Sequence, residues 1–136
     1  MFRRLFLFLV FTALVLGCRT QPAPIPDDIS PDALLQMAQE SIVKENNNDH
    51  AIYYYNEFIE RFGSDPALSD RIVEAEYEIG YIYYSEKQYY EAEVIFSGVL
   101  IKYDNDPAEN LPRWPLVLIN KLMPEIREHT SPTEEE

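Results

Sequence analysis

Cysteine occurs once in the 136-residue chain, tryptophan once, histidine twice and glycine four times. A single thiol gives no intrachain disulfide and no thiolate metal site, so the core must hold by packing alone. Zinc and serine-type catalysis need His, Cys or Ser clustered with orienting partners. His50 stands beside Asp49 at a helix start and His129 near the C-terminus, and both read as surface residues. Four glycines build no phosphate-cradling loop of the usual kinds. Basic residues are also short, 11 Lys and Arg against 24 Asp and Glu, for a formal net charge of −13. Nucleic acid and anionic lipid head groups are repelled by such a surface, and the same acidity keeps a protein soluble. Among the carboxylates, Glu74 and Glu78 or Glu91 and Glu93 invite an acid/base pair or a calcium site. Helical i, i+4 spacing of the first two reads more simply as a solvated face, and no loop has the oxygen spacing of a calcium hand. The expectation is a protein that is not an enzyme, with no metal and no cofactor.

The longest apolar run lies at the N-terminus, where Arg3 and Arg4 precede Leu5 to Gly17 in the order of a secretory signal. Its 13 residues reach about 20 Å as a helix, short of the roughly 30 Å hydrocarbon core, so cleavage is expected rather than a permanent span. The run ends Leu14-Val15-Leu16-Gly17-Cys18, which resembles the bacterial lipobox. That resemblance implies cleavage before Cys18, acylation of Cys18 and a membrane tether, because more than one acyl chain anchors stably. It also implies a periplasmic or cell-surface location. Arg19, standing where an aspartate signals inner-membrane retention in enterobacteria, points to the outer membrane. Without the leader, Lys plus Arg drops from 11 to 9 against 24 acidic residues, a formal net charge of −15.

Residues 18–30 form the acylated cysteine and a tether, since the alternating prolines from Arg19 to Ser30 forbid a helix and favour an extended spacer of roughly 35 Å. Residues 31–129 carry helical signals throughout, and residues 130–136 read as a frayed acidic tail. Ser30, Pro31 and Asp32 start a first helix, with Leu34, Leu35, Ala38, Ile42 and Val43 at helical spacing. Asn46-Asn47-Asn48 ends it. A second runs from about Asp49 to Phe62, closed by Gly63 in the manner of a C-terminal glycine. Ser64-Asp65-Pro66 begins a third, from Pro66 or Leu68 to Glu86; Lys87-Gln88 is a tight turn, and a fourth spans Tyr89 to Tyr103. The fifth runs from Trp114 or Pro115 to Glu128 with Leu116, Val117, Ile119, Leu122, Met123 and Ile126, and Pro124 is expected to kink or shorten it.

Laying Ala51 on Ala92 exposes a repeat 41 residues apart: Tyr55 falls on Phe96, Phe58 on Val99, Ile59 on Leu100, Phe62 on Tyr103 and Asp65-Pro66-Ala67 on Asp106-Pro107-Ala108. The unit is a helical hairpin in which a small alanine admits a neighbouring helix and an aromatic one turn later fills the diverging space. Gly80, Tyr83, Ala92 and Phe96 at their spacings resemble the tetratricopeptide (TPR) repeat. Glu76 departs from that pattern where tryptophan is favoured, as does Asp104 in place of a closing proline; Gln39 and Ile42 weaken the first hairpin. The match spans about Pro31 to Ala108, and Phe58 to Phe62 with Ile82-Tyr83-Tyr84 is similar to the envelope-lipoprotein branch of that family.

The expected fold is therefore all-α: two TPR-like hairpins and a capping fifth helix, since a repeat stack must cover its last face. In the family register the inner groove falls on Tyr77, Tyr81 and Tyr84 of the third helix and on Gln36, Glu40 and Val43 of the first. The tyrosines either line a groove or pack on the first hairpin. What the resemblance implies is a tethered protein–protein interaction module holding another envelope protein or peptide segment. A structural subunit of an envelope assembly is the alternative, as is a carrier of a small aromatic or lipid-like ligand serving a transporter.

Overall fold

Ser30 starts the first helix, its hydroxyl accepting the Ala33 N–H at 3.2 Å while Pro31 occupies a position that needs no N–H. The computed structural model of the chain describes residues 21–106 and 110–131. The expectations for the leader, Cys18, Pro107, Ala108 and the acidic tail beyond Ser131 lie outside them. Helix α1 spans Pro31–Val43 and α2 Asn48–Phe62; a 3-10 turn, Pro66–Leu68, leads into α3, Ser69–Ser85; α4 spans Tyr89–Asp104 and α5 Arg113–Thr130. Consecutive helices pack on one another, and α5 also reaches α3. The fold is all-α, two helical hairpins capped by a fifth helix.

The turns are built by capping chemistry. Asn46 turns the chain with a left-handed φ of 50°, which asparagine tolerates, and the Asn47 side chain caps α2 by accepting the His50 N–H at 3.1 Å. Gly63 closes α2, but with a φ of −64° rather than in the left-handed conformation by which a closing glycine usually ends a helix. The reversal comes two residues later. There the Asp65 N–H donates to the Phe62 carbonyl at 3.0 Å and the Asp65 carboxylate accepts from Ala67 at 2.9 Å. That cap organises the 3-10 turn, so α3 itself begins only at Ser69. At the far end of α3, Lys87 adopts a φ of 62°; the Gln88 and Lys87 N–H groups donate to the Tyr83 and Tyr84 carbonyls, both at 2.9 Å. These are the two bonds of a Schellman ending, made here without glycine. Helix α5 runs through Pro124 to Thr130, two residues past the expected end.

Two apolar clusters share α3 between them. Leu34, Leu35 and Ala38 of α1 meet Ala51, Tyr54, Tyr55 and Phe58 of α2 and Ile72, Ala75, Ile79 and Ile82 of α3. On its other side α3 sends Val73 and Tyr77 against Ala92, Phe96 and Val99 of α4 and Ile119, Met123 and Ile126 of α5. A helix buried on two faces must carry two apolar stripes, and the 72-75-79-82 and 73-77 spacings supply them. Ala92 has no exposed surface, as its close-contact role requires. Ala92→Leu overpacks that contact and is expected to cost about 1–3 kcal/mol, read as a lower melting temperature. An unchanged melt would place Ala92 outside the contact.

The proline-rich segment before α1 forms no helix, and a turn at Asp27-Asp28 brings the Ile29 N–H to the Pro26 carbonyl at 3.4 Å, so it is not a free spacer from residue 23 onward. Ile25 and Ile29 pack on the first cluster, the Tyr54 hydroxyl donates to the Ala23 carbonyl at 3.0 Å and Arg61 Nη1 to the Pro26 carbonyl at 3.2 Å. Prolines bar a helix there without preventing the isoleucines between them from being buried.

Candidate functional site

With two stripes of α3 buried, one remains open: Arg71, Glu74, Glu78, Tyr81 and Ser85, at spacings of three and four. Arg71 of this stripe faces α1 across a shallow groove of about 500 Å³ lined also by Leu35, Gln36, Gln39, Glu40 and Val43. Leu35, Gln39 and Arg71 also border a second hollow of about 250 Å³, closed by Tyr55, Glu74, Ala75, Glu78 and Trp114. The two form one concave face running from α1 across α3 to the start of α5.

Its charges are mostly answered at the α1 end. Arg71 is paired with Asp32, and Glu40 accepts from Lys44 at 2.7 Å and from Gln36 at 3.0 Å, bonds that hold its carboxyl below the ordinary value. At the α5 end Trp114 Nε1 donates to Glu74 at 3.1 Å. Burial and the adjacent Glu74 charge push the Glu78 carboxyl up. Burial, with the charge of Glu78, also raises the Tyr55 hydroxyl. Glu76 lies outside the groove and holds Lys102 of α4 through both oxygens, at 2.6 and 2.7 Å.

A carboxylic acid whose folded pKa is raised favours folding while protonated, and that contribution is lost as pH rises through the folded value. Glu78→Gln should therefore raise the melting temperature at neutral pH, with the gain fading as pH falls towards 4.5, the ordinary value for the group. An equal gain at every pH would mean that charge burial is not the cause.

Gln36, Glu40 and Val43 line the groove, and Val43 is 83% exposed, so it is no core residue of α1. The tyrosines part company. Tyr77 is only 6% exposed and belongs to the second cluster, stacked on Phe96 at a ring distance of 5.8 Å and met edge-on by Trp114 at 4.9 Å. It is neither an open groove residue nor packed on the first hairpin, because α5 covers its side of α3. Tyr84 follows it, donating to Glu125 of α5 at 2.7 Å, a bond that pushes its hydroxyl up to about 12. Tyr81, 44% exposed, stays open. Gly80, Ala92, Phe96, Ala51 and Tyr55 meet inside the hairpins, with Tyr83 half-buried between the two clusters.

The sequence reading missed Glu74, Glu78, Tyr55 and Trp114 as groove residues. For Glu74 and Glu78 the signal lay in α3: once two apolar stripes are assigned, the polar stripe through these two is the surface left uncovered. A second exposed feature is the outer face of α4, where Tyr90, Val94 and Ile101 stand in a row across Gly98. Searched against protein-family models, curated proteins and solved structures, the chain has no match.

Proposed function

We propose that this chain is a membrane-tethered, tetratricopeptide-like adaptor of the bacterial cell envelope, held by acyl chains on Cys18 at the outer membrane and gripping a segment of another protein. The supporting observation is the concave face between α1, α3 and α5, which combines exposed Val43 and Trp114 with the polar side chains of Gln36, Gln39, Glu74 and Glu78. Large apolar area with a few convergent polar groups is the composition of a protein-binding surface. The tether rests on the lipobox-like run before Cys18. Among the described residues no helix is long and apolar enough to cross a membrane.

A photo-reactive residue placed at Gln36 or Gln39 in intact cells should yield one discrete adduct, and Cys18→Ser should abolish both palmitate labelling and that adduct. Labelling that persists in Cys18→Ser removes the tether. A chain that cross-links only from outside the concave face is no groove adaptor. That last result would favour the second reading, a subunit packed side by side in an envelope assembly, which the bare α4 face through Tyr90, Val94 and Ile101 supports.

A further inference from the structure

The α5 end of the concave face is not uniform with the rest. Glu74 and Glu78 lie one helical turn apart on α3, both half-buried, and both line the same 250 Å³ hollow. Arg71, the cation among the residues lining the hollow, is paired with Asp32, and Lys44 of the neighbouring groove with Glu40. Among the described residues the Glu78 carboxylate has no hydrogen bond and no ion pair. The floor is Tyr55, a side chain only 3% exposed. Its hydroxyl likewise has no hydrogen-bond partner among the described residues, and since no buried side-chain polar atom there is left unpaired, the oxygen keeps some exposure beside the hollow that Tyr55 lines. One wall is the indole of Trp114, 41% exposed and fixed by its bond to Glu74 and by its edge-on contact with Tyr77.

Two adjacent carboxylates in a half-buried site repel each other and lose solvation, and the Tyr55 hydroxyl, bonded to no other side chain, is left to accept a hydrogen bond from whatever enters. A positively charged group carrying several N–H donors answers both carboxylates and donates to the hydroxyl, and an indole face beside it adds cation–π attraction. We propose that the hollow between Tyr55, Glu74, Glu78 and Trp114 receives one cationic side chain, an arginine or lysine on a basic segment of the partner protein. The charge of the whole chain, −13 in full, speeds the approach of such a segment, and the hollow fixes where its side chain goes. The inference rests on the concave face being the protein-binding surface and adds the chemistry of what binds there.

Trp114 is the only tryptophan of the chain, so its emission reports on the hollow directly. The experiment titrates the detergent-solubilised full chain with a short peptide of serine and glycine carrying several arginines, and with the same peptide in which neutral citrulline replaces arginine. The arginine peptide should change Trp114 emission saturably, and the citrulline peptide should bind at least about tenfold more weakly. Glu74→Gln/Glu78→Gln should weaken the arginine peptide by a similar factor while keeping its helical circular dichroism. Glu91→Gln/Glu128→Gln, which removes the same charge from two exposed positions on α4 and α5, should leave binding unchanged. Tyr55→Phe, which keeps the packing and removes only the hydroxyl, should also weaken binding. Equal binding of the two peptides, no emission change with either, or equal weakening by the two glutamine pairs would overturn the assignment, the last by showing diffuse attraction only. If groove positions still capture a partner in cells after Glu74→Gln/Glu78→Gln, the adaptor stands and the cationic anchor falls. If capture comes only from outside the groove, the adaptor itself falls.

Discussion

Gly80→Ala is expected to destabilise the protein by about 1–3 kcal/mol, although alanine in mid-helix normally gains about 1 kcal/mol over glycine. The reason is a single ring. A Cβ built on Gly80 would lie 2.4 Å from Phe96 Cε1 and 2.7 Å from Cδ1. Phe96 is fully buried and stacked on Tyr77, so it has nowhere to turn. Phe96→Ala alone empties the centre of the second cluster and should cost about 3–5 kcal/mol. In that background the sign of the first substitution reverses, because the added methyl enters vacated space and the helix keeps its propensity gain. Urea unfolding of the wild type, the two single variants and the double variant gives the coupling directly. If Gly80→Ala costs the same with and without the ring, Phe96 is not what reserves position 80 for glycine.

The second large effect concerns the cap. Ile119 of α5 has no exposed surface and stands among Val73, Tyr77, Phe96 and Met123. Ile119→Asp sets an unpaired carboxylate against them, a change at the severe end of point substitutions, above about 4 kcal/mol. Domains of this size hold only about 5–15 kcal/mol in all, so α5 should detach or the whole fold should melt. Undocking strips cover from one face of α3 and α4 and takes the Trp114 wall from the concave surface. The expected readings are a loss of helical circular dichroism at ambient temperature and a red-shifted Trp114 emission. A cooperative melt near the wild-type temperature would mean that the hairpins stand without their cap.

Helix positions were legible because their signals are local. Ser30-Pro31 marks the start of α1, the asparagine run marks its end, and the alanine–aromatic spacing repeated at Ala51 and Ala92 marks both hairpins. What was not legible is which of two tyrosine-bearing neighbours on α3 faces outward. Tyr77 and Tyr81 differ by one turn, and only the docking angle of α5, set by Ile119, Met123 and Ile126, makes the first core and the second surface. Glu74 and Glu78 read as solvated on spacing alone, since periodicity along one helix says nothing of Trp114 arriving from forty residues away. The isoleucines of the proline-rich segment carried a weaker trace. Ile25 and Ile29 are apolar where a free spacer has no use for them, and both are partly buried.

That docked segment changes the reach of the anchor. From Cys18 to Ser30 the spacer would extend roughly 35 Å, but the Tyr54 hydroxyl holds the chain at the Ala23 carbonyl. Only about five residues, some 15 Å at the same rise per residue, then lie between the acylated cysteine proposed above and the folded body. Because accessible volume grows with the cube of a leash, the space swept by the body shrinks more than about tenfold, and encounters with anything fixed in the same leaflet become more frequent in proportion. A partner standing close to the lipid surface is met often on such a leash, and one held farther out than the leash and the folded body together is not met at all.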